Sequence, residues 1–175
     1  MNLVKGKITD SKECDIILDN LEHYIIDTLK KGRLNTETVI NACNKVVSDL
    51  DESYYIEAMA GLGIDKSISK NYINEMRSLF NKDSLLHRIK VELGDILCNP
   101  VTFNPPYKES AVTRQILPLG VLLHVAAGNA DGLPAFSVLE GLLTGNINIL
   151  KLPAEESGIS VRLLLELIEA EPILA

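Results

Sequence analysis

Residues 118–153 read PLGVLLHVAAGNADGLPAFSVLEGLLTGNINILKLP, and their punctuation decides the fold. Gly120 to Ala126 is a short apolar run bounded by Pro118 on one side and Gly128-Asn129 on the other. Its length and lack of alternation predict a strand buried on both faces. Asp131 to Thr144 is long enough for a helix, with Asp131 placed to cap it and Gly145-Asn146 ending it. Ile147-Asn-Ile-Leu-Lys151 then predicts a second strand, stopped by Pro153. Two strands joined by a helix form a βαβ unit with a parallel pair. Asn129 then follows the end of the first strand, and Lys151 closes the second. Both strand ends lie on the carboxyl edge of one sheet, where open α/β sheets bind ligands.

Upstream, the pattern changes to a helical period. Ile16, Ile17, Leu21, Tyr24, Ile25 and Leu29 predict helix between Ser11 and Gly32. Val39, Ile40, Cys43, Val46, Val47 and Leu50 repeat the period behind Asn35-Thr36. Tyr54–Ala60, Ser69–Leu79 and Ser84–Leu93 complete a helical layer, the last closed by Gly94. Lys30-Lys31 supplies positive charge to a helix C-terminus. Asn99-Pro100 and Asn104-Pro-Pro106 resist helix and set a boundary. We therefore expect a helical N-terminal region over 1–104 and an incomplete nucleotide-binding α/β unit over 105–175. In the second region, alternation over Val112–Ile116 predicts a strand, and Val161–Ile168 an amphipathic helix. Ala170 to Ala175 reads as the start of a further strand, so the chain is expected to be an N-terminal piece of a longer protein.

Bulk properties exclude several classes. The 175 residues are 46% hydrophobic and 23% charged, ordinary for a folded globular chain. A net charge of −7 argues against nonspecific nucleic-acid binding, which needs a basic face. Pro118, His124 and Asn129 interrupt the most apolar stretch, so no membrane span is expected. Cys14, Cys43 and Cys98 are odd in number and lack paired spacing, so neither a disulfide framework nor a metal site is predicted. With no secretory leader, these features point to the cytoplasm.

The same stretch resembles the aldehyde dehydrogenase superfamily, and within it the fatty acyl-CoA reductase family of bacterial bioluminescence. Pro118-Leu-Gly-Val121, Ala127-Gly128-Asn129, Gly141-Leu-Leu-Thr-Gly-Asn146 and Lys151 carry the likeness. It implies a partial Rossmann-like aldehyde dehydrogenase fold. It further implies NADP or NAD as cofactor, an acyl-CoA or other acyl thioester as substrate, and a homo-oligomer for the full-length protein.

The resemblance also implies roles. Asn129 matches an asparagine that donates to the developing oxyanion. Removing such a donor typically costs on the order of 3 kcal/mol. From the pattern alone, Asn129 serves equally as a turn residue that tolerates a left-handed backbone. Lys151 matches a lysine that holds the cofactor ribose; the alternative is a strand-end lysine reaching water. Ala126 and Ala127 are small enough to line the nicotinamide side, and equally fit simple packing. Glu155 falls near a family glutamate for the adenosine ribose. Yet Lys-Leu-Pro-Ala-Glu is one residue longer than the family's Lys-Pro-x-Glu, and acids also suit a helix start. The family attacks its acyl group with a cysteine thiolate. Cys14 and Cys43 lie on apolar helix faces, and Cys98 has no evident base beside it, so the nucleophile is expected outside these residues. His124, inside the first strand, is expected to be a hydrogen-bonded core residue.

The expected activity is reduction of a fatty acyl thioester to an aldehyde by the parent protein, with this chain alone inactive. Two alternatives are another CoA-acylating aldehyde dehydrogenase or acyl-phosphate reductase, and a non-catalytic helical interaction protein.

Overall fold

Short side chains with an oxygen acceptor start most of the helices, because such oxygens satisfy amides that the first turn leaves open. Asp10 accepts from Glu13 N at 2.8 Å and opens α1 (Ser11–Asp19). Asn35 does the same at 2.8 Å for α3 (Thr36–Asp49), after α2 (Leu21–Lys30). Asp51, Asp65 and Asn81 cap α4 (Glu52–Gly61), α5 (Lys66–Phe80) and α6 (Lys82–Leu93). Gly94, at φ 66°, ends α6, as its position in the sequence predicts. In this computed structural model the described residues are 2–94, 99–127, 132–153 and 158–175.

The apolar faces of α3 to α6 meet the βαβ unit in one core. Val39, Cys43 and Val46 of α3 lie at its centre, and α3 packs against α5, α6, α7 (Leu133–Leu143) and α8 (Ile159–Ala170). Tyr55, Ile73, Phe80 and Leu85 close it from the other helices, and Leu139 and Leu163 from α7 and α8. A polar bridge joins the two regions. The fully buried Tyr55 donates its hydroxyl to Glu166 Oε2 at 2.8 Å, and Arg162 Nε donates to Glu166 Oε1 at 2.7 Å.

Several expectations need correction. Helix does not run unbroken from Ser11 to the Gly32 region. It breaks at Asn20, whose side-chain amide donates to Ile16 O at 2.8 Å and so competes with the helical backbone. A hairpin that the periodicity does not reveal, β1 (Asn2–Val4) and β2 (Lys7–Thr9), precedes α1. Its two-residue turn, Lys5-Gly6, has positive φ at both positions, 47° and 76°, which suits the twist of paired strands. The alternating run after the proline boundary gives β4 (Val112–Arg114), paired antiparallel with an unanticipated β3 (Val101–Phe103). Residues 172–174 form a 3-10 turn, with Leu174 N bonded to Glu171 O, and not the start of a strand.

The decisive unit is present. β5 (Val121–Val125) and β6 (Ile147–Lys151) are parallel, joined by α7, in a register that pairs Val121 with Ile147 and Val125 with Lys151. Burial of β5 on both faces is not observed. Successive side chains alternate between the faces of a sheet. Leu122 and His124 point to the face that α7 covers, while Leu123 and Val125 are each 67% exposed on the other.

Candidate functional site

The carboxyl edge of the β5–β6 pair is level. Val125 lies opposite Lys151, and Ala126 N donates to Lys151 O at 3.0 Å, extending the ladder one step beyond β5. Ala126 is half-buried, Ala127 and Lys151 are exposed, and Lys151 makes no salt bridge among the described residues. Two small side chains and one unpaired ammonium therefore share a rim. The methyl groups leave the backbone open to close approach, and the ammonium offers three donors to hydroxyl or phosphate oxygens. Asn129, Glu155 and the expected cap Asp131 lie outside the described residues, as does Cys98.

Below the rim, a polar seam runs between the strands and α7. Asn146 Oδ1 accepts from Gly120 N at 3.0 Å, and its Nδ2 donates to Thr144 Oγ1 at 2.8 Å. Asn148 Nδ2 donates to Asn146 O at 2.9 Å, leaving Asn148 Oδ1 to pair with His124 Nε2 at 3.0 Å. His124 is hydrogen-bonded as the sequence predicts, but it is half-buried beside a cleft and not a core residue, because α7 leaves that part of the sheet face open. Sequence reasoning passed over Asn148. Its signal was a lone amide inside the apolar run Ile147-Asn-Ile-Leu150, facing a glycine of the preceding helix. Gly141 is that glycine, and a Cβ there would overlap the Asn148 amide.

The other candidate groups lie apart from the rim. Cys43 is fully buried in the helical core, and burial pushes its thiol up to about 12, so it stays protonated at neutral pH. Cys14 sits on α1. A cleft of about 370 Å³ lies between α6, β5 and α7, crossed by an Arg88–Glu140 ion pair at 3.2 Å. It opens on the α7 face of the sheet, away from the ammonium of Lys151, and of the described site residues neither Ala126, Ala127 nor Lys151 lines it. Among the described residues, no group of three His, Cys, Asp or Glu side chains is placed to hold a metal ion, and no helix is long and apolar enough to cross a membrane.

With this geometry in hand, comparison with known families is decisive. The model of the acyl-CoA reductase (LuxC) family matches residues 32–174, well over half of the chain. The chain belongs to the acyl-CoA reductase (LuxC) family. The match begins at Gly32, so the hairpin, α1 and α2 precede it, and it contains α3 to α8 with both rim strands. Curated proteins and solved structures yield no match.

Proposed function

We propose that the parent protein is an NAD(P)H-dependent reductase that converts a fatty acyl thioester to an aldehyde through a cysteine thioester. This chain supplies the helical region over 1–104 and the first part of a Rossmann-like nucleotide-binding unit, of the aldehyde dehydrogenase type, over 105–175. The observation that carries the reading is the common rim of Ala126, Ala127 and Lys151, in a chain of the acyl-CoA reductase family.

The rim fits a dinucleotide. Lys151 is exposed and makes no ion pair among the described residues, so it is able to donate to ribose hydroxyls, and the two alanines let a flat ring approach the backbone. The cofactor, NADP or NAD, supplies the hydride. Asn129, two positions past Ala127, is assigned the oxyanion donor, and Glu155 a contact to the adenosine ribose. Neither described cysteine suits the nucleophile. Cys43 is locked in the core as a thiol, and Cys14 precedes the family match. Cys98 precedes the cofactor unit and has no evident base beside it in the sequence, so the thiolate is assigned to sequence outside these 175 residues, and the cytoplasm is the proposed location.

Titration with NADPH and NADH tests the assignment. Lys151→Ala is expected to weaken binding of the preferred cofactor roughly tenfold, the loss of about one charge-assisted hydrogen bond. In the complete reading frame, Asn129→Ala is expected to lower turnover while sparing cofactor affinity. The reverse ordering would refute both roles. Acyl-CoA-dependent oxidation of NADPH by these 175 residues alone would refute the assignment of the nucleophile.

A further inference from the structure

Asn129 stands midway between two anchored residues, three positions after Ala126 and three before Gly132. Ala126 is held at the strand tip, where its N–H donates to Lys151 O at 3.0 Å. Gly132 is buried at the start of α7, and its carbonyl accepts the first bond of that helix from Phe136 N at 3.2 Å. Having no side chain, Gly132 cannot cap the helix as serine or asparagine would. Its φ of 77° lies in the left-handed region that glycine reaches freely. The direction in which the chain enters α7 therefore depends on what packs against this glycine.

Tyr72 packs there. A Cβ at Gly132 would overlap the Tyr72 hydroxyl oxygen and lie 3.1 Å from Tyr72 Cζ, with Ile159 Cγ2 of α8 at 3.7 Å. The phenol thus fills the space beside the glycine backbone. α8 offers the contrast. It starts on Gly158 at φ 87°, and a Cβ there would meet no described atom within 4 Å. Tyr72 belongs to α5, in the helical layer, where its half-buried ring lies against the core and the next residue, Ile73, is fully buried. A flat ring seated on a close-packed core makes a stiff strut, which passes the position of that layer to the entry of α7.

We propose that Tyr72 is a positioning residue for Asn129. Its hydroxyl fixes Gly132, the second anchor, so that the Asn129 amide is aimed at the developing oxyanion. The helical layer then contributes to turnover without touching substrate or cofactor. This rests on the oxyanion role assigned to Asn129 above.

Tyr72→Phe removes the hydroxyl and keeps the ring. In the complete reading frame, with a fatty acyl-CoA and NADPH, it is expected to lower kcat roughly tenfold, a misplaced donor costing less than the loss of about a hundredfold for a removed one. KM and NADPH affinity are expected to stay at wild-type values. In an Asn129→Ala background, Tyr72→Phe should change kcat no further, because the amide it aims is gone. Tyr55→Phe is the stability control, since it loosens the same core away from Gly132 and should leave kcat as it is. Wild-type kcat in Tyr72→Phe, or the same fold loss with and without Asn129, would overturn the proposal. Unchanged kcat in Asn129→Ala would instead sink the oxyanion role. Amide exchange of Phe136, whose N–H bonds Gly132 O, then decides whether Tyr72 holds the entry of α7. Faster exchange in Tyr72→Phe but not in Tyr55→Phe supports the anchor, and unchanged exchange overturns it.

Discussion

Replacing Gly141 with alanine inverts a familiar expectation. In a helix interior this change normally stabilises by about 1 kcal/mol, because alanine restricts the unfolded backbone. Gly141 is buried on α7 against β6, and a Cβ there would lie 2.8 Å from Asn148 Cγ as well as overlapping Oδ1. Asn148 has no slack, since its side chain is held at both ends by His124 and Asn146. Turning it aside breaks two hydrogen bonds, each worth about 1 kcal/mol, and strands the His124 donor. Strain from the added methyl contributes about 1 kcal/mol more. After the propensity gain, Gly141→Ala should lose about 2 kcal/mol, a drop in Tm of about 6 °C for a chain of this size. Urea denaturation followed by circular dichroism measures it. The double variant Gly141→Ala, Asn148→Ala should be more stable than the two single losses predict, because the alanine at 148 removes the obstacle. A Gly141→Ala protein as stable as wild type, or more so, would refute the close contact between α7 and β6.

Other consequences follow from the core and the caps. Tyr55→Phe removes the hydroxyl bonded to the Glu166 carboxylate, and equilibrium unfolding should register a loss of about 2 kcal/mol with the fold retained. Asp65 caps α5, and bonds from the Ser67 hydroxyl and amide hold its carboxyl below the usual range. A depressed carboxylate contributes stability above its unfolded pKa and loses it as pH falls through its folded one. The stability gap between wild type and Asp65→Ala should therefore be full at neutral pH and close in acid; a gap constant down to pH 2 would contradict the cap. Cys43, with its thiol pushed up to about 12 inside the core, should resist iodoacetamide at pH 8 in the native protein and react only after unfolding.

Local chemistry was legible in the sequence wherever one residue decides the backbone. Asn35, Gly94 and Gly145 mark helix ends where the structure has them, and the apolar runs at Val121 and Ile147 became parallel strands. What escaped depends on partners distant in sequence. Nothing local in Ser11–Gly32 says that Asn20 will turn its amide on Ile16, since asparagine also occurs inside helices. Nor does an apolar run reveal how many faces are covered. Leu123 and Val125 read as core residues but are exposed, because α7 covers only the face carrying Leu122 and His124. The strand-end placement of Lys151 and the alanine pair was readable from the apolar runs and their punctuation. The His124–Asn148 bond was not, because it spans a helix and two strands whose register the sequence leaves open.

Backbone amide shifts during an NADPH titration test the rim most directly. The account predicts saturable changes centred on Ala126, Ala127 and Lys151, with residues of the Arg88–Glu140 cleft unmoved. Saturable changes confined to that cleft, with the two strand tips silent, would contradict it.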